Sequence, residues 1–76
     1  MYNIVKTLVA NILNLPESEI TSDASSETLE RWDSLQHLNI VMSVEETFDV
    51  RFETNKIPDL GSIRALQEAL ARLGKI

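Results

Sequence analysis

Apolar residues recur at helical spacing in three separate stretches of this chain, and nowhere do they alternate over a length that would make a strand. Ile4, Val5, Leu8, Val9, Ile12 and Leu13 fall at i, i+1, i+4, i+5, i+8 and i+9, one stripe of helical period. The pattern predicts an amphipathic helix from residue 3 or 4 to residue 14, ended by Pro16, whose ring keeps the preceding residue out of the helical region. A second stretch opens at Asp33-Ser34: Asp33 suits the N-cap, Gln36 stands three residues on as in a capping box, and Ser34 takes the first helical position. Within it Ile40, Val44 and Phe48 share one face and are the predicted core. Leu35, Leu38, Val41, Met42, Glu45 and Asp49 gather near another edge. Two apolar edges on one helix imply that one of them serves a partner or a ligand. In the third stretch Ser62 caps a helix whose Ile63, Leu66, Leu70 and Leu73 line one face, with Ala65 and Ala69 beside them, and Gly74 ends it.

The connections are polar. Residues 15 to 33 are rich in Ser, Glu, Thr and Asp, and so long a structureless run is unusual in a small domain. Ile20, Leu29 and Trp32 are therefore expected to pin it to the core, with short helical turns near Glu17 and Thr28. Asp23-Ala24-Ser25-Ser26-Glu27 reads as a solvated loop tip. After Val50-Arg51-Phe52, the segment from Glu53 to Leu60 has room for a short helical turn or a loop, and Pro58 argues against anything longer. The expected architecture is all-α: a small four-helix bundle of three main helices and one short one, with a long loop between helices 1 and 2.

The 76 residues are read as one domain, 1–76. A chain of this size buries only roughly 60% of its unfolded surface. It has no cysteine, so neither disulfides nor thiolate-held metal can reinforce the core, which must come from aliphatic packing. Twelve acids against seven bases give a formal charge of −5. That argues against nucleic acid as a partner, since phosphates call for a basic face, and suits a monomer that meets basic partner surfaces. No apolar run is long enough to span a bilayer, and the first residues do not resemble a secretion leader. The expected compartment is the cytoplasm.

Asp33, Ser34 and His37 are the residues with chemistry to offer, and they admit three readings. Asp and Ser are the residues that helix caps use, so both can be purely structural. Ser34 and His37, three apart on a helix with Asp33 adjacent, also have the residue types of a hydrolase. Against that, no Gly-x-Ser-x-Gly elbow supplies a strained nucleophile or its oxyanion donors. The third reading is an ester on Ser34. A phosphodiester there meets the positive end of the helix dipole and free N–H donors, beside an apolar edge that can receive a partner.

The run Asp33-Ser34-Leu35, then Leu38 and Asn39, then Val41 through Val50 with its Glu45-Glu46-x-Phe48 ending, resembles the second helix of acyl carrier proteins. The order of helices resembles that family over the whole chain. The resemblance implies that Ser34 receives phosphopantetheine from coenzyme A through a separate magnesium-dependent phosphopantetheinyl transferase. It implies that the arm's thiol holds acyl groups as thioesters between partner enzymes with basic patches, and that the chain itself is not a catalyst. By the same resemblance Asp33 is the acid beside the attachment serine, Leu35, Leu38 and Met42 are apolar positions facing partners, and Glu45 and Glu46 are acids meeting Arg or Lys. The absence of cysteine fits, because the arm brings its own sulfur.

Two departures from the family pattern matter. Gln36, His37 and Asn39 stand where fatty-acid-type carriers often have acids, so polar contacts should replace salt bridges near the arm. Trp32 precedes Asp33-Ser34-Leu35, as in stand-alone carriers of polyketide, peptide or surface-glycan assembly; physically it is a hydrophobic anchor for the loop. The expected function is thus an acyl carrier for fatty-acid, polyketide or related specialised biosynthesis. A peptidyl or aminoacyl carrier of the same fold is the alternative within the class, and an unmodified helical adaptor binding through residues 34–49 is the alternative outside it.

Overall fold

The computed structural model describes residues 4–21 and 23–75. Three α-helices, α1 (Ile4–Leu13), α2 (Ser34–Phe48) and α3 (Ile63–Arg72), carry the fold, with 3₁₀ turns at Glu17–Glu19 (η1) and Thr54–Leu60 (η2). No strand occurs among the described residues; the one sheet-like contact is an isolated bridge between Ser25 and Ser62. The result is a helical bundle of the acyl-carrier type. Residue 3, the alternative start of the first helix, lies outside the described residues.

The helices bury the faces their periodicity predicts. Val5, Val9, Ala10 and Leu13 of α1 meet Ile40, Val41 and Val44 of α2 and Ile63, Leu66 and Leu70 of α3 in one core, closed by Ile20, Ala24, Trp32 and Leu60. Each fully buried aliphatic side chain contributes about 1.5–3 kcal/mol, and this repeated burial, not helix propensity, holds helices only ten to fifteen residues long. Two placements differ from the sequence expectation. Val41, assigned to the outer edge of α2, is buried beside Ile40, because the core wraps far enough round the helix to take adjacent positions. Leu73, assigned to the buried face of α3, is half exposed, since α3 ends at Arg72 and leaves it past the last turn. Phe48 packs on the core's margin, partly buried.

All three α-helices end on a residue in the left-handed region: Asn14 (φ 56°), Asp49 (φ 54°) and Gly74 (φ 73°). In each case the N–H of the next residue reaches back five positions. Leu15 donates to Ala10, Val50 to Glu45 and Lys75 to Leu70, at 3.0, 3.0 and 2.9 Å, which satisfies carbonyls the helix itself cannot. The first helix is therefore stopped by Asn14, not by Pro16 as the sequence suggested. The Arg31 guanidinium completes this end, donating from Nη1 to the carbonyls of Leu13 and Asn14 at 3.2 and 3.0 Å, a cation where the helix dipole favours one.

The long first loop is more tightly held than its composition suggests. Ile20 and Trp32 are buried and Leu29 is partly so, as expected, and the turns near Glu17 and Thr28 form. In the stretch Asp23–Glu27 the side chains of Asp23, Ser26 and Glu27 are exposed, as expected of a solvated tip, but the backbone is docked. Ala24 is 3% exposed, its carbonyl accepts from Ile63 N–H at 3.0 Å, and Ser26 N–H donates to the Gly61 carbonyl at 2.8 Å. Asp23 pairs with Arg64 at 2.9 Å, though both side chains are largely exposed, so the pair adds little. What decides the docking is the backbone, because the chain before α3 has free N–H and C=O groups to match. A Cβ added at Gly61 would stand 3.1 Å from the Ser26 hydroxyl, so glycine lets the two strands of chain approach. Pro58 is also accommodated: η2 runs seven residues through it.

Glycine takes the left-handed conformation without the penalty, about 1–2 kcal/mol, that a side chain brings. Asn14→Gly should therefore be neutral to slightly stabilising, and Asn14→Val should lose about 1–2 kcal/mol, measured by urea unfolding. Equal midpoints for the two variants would contradict the assigned helix end.

Candidate functional site

Ser34 is exposed at the first position of α2. The helix starts there because Asp33, in extended conformation, turns its Oδ1 back to accept from the Gln36 N–H at 2.9 Å, while its carbonyl accepts the first helical bond from His37 at 2.8 Å. The capping box is thus half made: the Gln36 side chain accepts from Asn39 Nδ2 at 3.1 Å and keeps to the helix surface. With Gln36 capped, the N–H groups of Ser34 and Leu35 are those that no carbonyl inside the helix can reach. They point the positive end of the helix dipole toward the Ser34 hydroxyl.

Beside that hydroxyl lies a shallow hollow of about 310 Å³, walled by Ser26, Trp32, Asp33, Ser34, His37, Pro58 and Gly61. Sequence reasoning found three of these as site residues. It had no signal for Ser26, Pro58 or Gly61, which reach the site only through the docked loop and η2. His37 is committed elsewhere: Trp32 Nε1 donates to its Nδ1 at 3.1 Å, and its Nε2 lies 2.7 Å from the Ile57 carbonyl. With both ring nitrogens engaged it has none left to take a proton from Ser34, which removes the geometric basis for a Ser-His hydrolase.

Down the exposed face of α2, Leu35, Leu38 and Met42 are 68, 49 and 57% exposed. With Glu46 and Asp49 they form one stripe at helical spacing, apolar near Ser34 and acidic at the far end. There Met42, Glu45, Glu46, Asp49, Val50 and Arg51 surround an open depression of about 500 Å³. Glu45 is not a free acid of this stripe. It is half-buried, and its Oε2 accepts from the Phe52 N–H at 2.7 Å, fastening the chain that leaves α2. Glu46 is exposed. The two adjacent acids, alike in sequence, have different physical roles.

A serine hydroxyl held out at a helix N-terminus, over a hollow and beside an exposed apolar stripe, fits a covalently attached phosphodiester. The chain matches the family model described as a phosphopantetheine attachment site over residues 3–70. It belongs to that family, and the domain is a site of covalent phosphopantetheine attachment. Domains of this family are in general carriers and not catalysts. No helix among the described residues is long and apolar enough to cross a membrane.

Losing a charged acceptor from a backbone N–H costs more than losing a solvated charge. Glu45→Ala should lower stability by about 1–2 kcal/mol, and Glu46→Ala should change it by less than about 0.5 kcal/mol. Denaturant unfolding of both compares them directly, and equal losses would argue against the Phe52 cap.

Proposed function

We propose that this protein is an acyl carrier whose phosphopantetheine is joined to Ser34. The observation that supports this best is the exposed Ser34 hydroxyl at the first position of α2, with the hollow on one side and the Leu35-Leu38-Met42 stripe on the other. The group supplies a thiol at the end of a flexible arm, where an acyl cargo is held as a thioester. The chain's own contribution is display and recognition. Asp33 keeps the turn before Ser34 in extended conformation and so presents the hydroxyl, and the helix N-terminus favours the phosphodiester's negative charge. A separate phosphopantetheinyl transferase, using coenzyme A and magnesium, makes the attachment and reads Asp33 and Leu35 beside the serine.

Partner enzymes that load and process the cargo meet the α2 face. Leu35, Leu38 and Met42 supply the apolar centre, where desolvation gives most of the binding energy, and Glu46 and Asp49 face basic patches at the far end. Rim charges of this kind chiefly steer association. Gln36, His37 and Asn39 leave the first turns without acids, so binding near the arm relies on polar contacts and depends less on salt than in carriers with acids there. The acidity of the chain favours acyl over aminoacyl cargo. Fatty-acid, polyketide and related specialised assembly are the pathways this reading fits, with a monomer in the cytoplasm as the working form.

Incubation with coenzyme A, magnesium and a broad-specificity phosphopantetheinyl transferase should add the mass of one phosphopantetheine, and Ser34→Ala should add none while remaining folded. A folded wild-type chain that gains no mass with several transferases would favour an unmodified adaptor. Because Leu38 and Met42 are already exposed, Leu38→Ser and Met42→Ser should each leave stability within about 0.5 kcal/mol of wild type. Both should slow acyl loading by a cognate partner enzyme by about tenfold; unchanged loading kinetics would place the partner surface elsewhere.

A further inference from the structure

His37 does more than occupy a helix position. Its side chain ties the buried Trp32 and the short helix η2 to the start of α2. The indole nitrogen can only donate, so Nδ1 of His37 must accept. The ring hydrogen then sits on Nε2 and is donated to the Ile57 carbonyl at 2.7 Å. The two rings also stack, with centroids 6.3 Å apart and planes 29° from parallel. This chain of two hydrogen bonds exists only for the neutral imidazole carrying its hydrogen on Nε2. With the ring hydrogen on Nδ1 instead, the indole, 2% exposed, would be left without an acceptor.

We propose that His37 is a positioning residue for Ser34: its ring, hydrogen-bonded through both nitrogens, holds η2 against the α2 N-terminus. The role in positioning rests on the reading that Ser34 bears the arm. Trp32 and His37 are themselves walls of the Ser34 hollow, and so is Pro58, the residue that follows Ile57. The charged groups around it are few. Asp33 shares the hollow but is engaged by the Gln36 N–H, Arg31 is turned to the end of α1, and Lys56 and Asp59 flank Ile57-Pro58 on the exposed side of η2.

Gln at position 37 separates this role from simple filling of space. Its amide can accept from Trp32 and donate to Ile57. Nitrogen NMR of the imidazole at pH 8 should give the signature of the Nε2–H form. Exchange protection of the Trp32 indole N–H, referred to free tryptophan, should be about tenfold lower in H37A than in wild type at pH 8, and H37Q should keep it. Transferase loading of Ser34 should slow about tenfold in H37A and be restored in H37Q. An Nδ1–H ring or full protection in H37A would overturn the bridge. Loading in H37A at the wild-type rate would overturn the positioning role. A wild-type chain that no transferase loads would overturn the Ser34 reading and the positioning role with it, while the indole data would still decide the bridge.

Discussion

Trp32 is the largest fully buried side chain in the protein, and burying an indole requires an acceptor for its N–H. That requirement organises a good deal of the molecule. The acceptor comes from His37, one turn into α2, whose other nitrogen meets η2. The ring itself closes the core over the first loop. Loop, second helix and short helix therefore meet at one anchor, beside the hollow that Ser34 also lines. A bundle of three short helices has little burial to spare, and this shared anchor joins parts that a helix-on-helix core alone would leave apart.

The polar connections are held by backbone chemistry. Every main helix ends in a left-handed residue with a long reach-back bond, and the first is additionally clasped by Arg31. Glu45 fastens the exit from α2 in the same way, a carboxylate taking an N–H that the chain would otherwise expose. The Ser25–Ser62 bridge and the bonds on either side of it join the first loop to the start of α3. These contacts involve no apolar area to speak of. Their value lies in leaving few main-chain groups unpaired where the loop meets the core.

The division of labour along α2 follows from the same economy. One face is wholly given to the core through Ile40, Val41 and Val44, and the opposite face keeps three large apolar side chains in water. The fold itself gains no stability from such a stripe, and a patch of this kind is characteristic of an interaction surface. On the proposed reading of Ser34, a stripe that begins beside it and turns acidic at Glu46 and Asp49 suits a carrier that partners grip near the arm and recognise from further away. The absence of cysteine places no limit on this, since the family's reactive sulfur comes with the cofactor.

Periodicity and capping were enough to set the helices, because the apolar stripes and the Asp33 and Ser62 caps are local patterns that act within a few residues. The resemblance carried by Asp33-Ser34-Leu35 and the acidic ending of α2 was equally local, and it led to the family. What the tertiary structure alone decided were matters of long-range pairing. Val41 is buried and Leu73 is not because of how far the core wraps and where α3 stops. Asp23–Glu27 is docked because Gly61 and Ile63, nearly forty residues away, offer matching backbone groups. Glu45 differs from Glu46 because only one of them reaches Phe52. His37, in sequence a single polar residue on a helix turn, became a bridge between two elements once Trp32 and Ile57 were brought to either side of it. Local patterns specify elements through neighbours in the chain, whereas partners distant in sequence are set only when the elements pack.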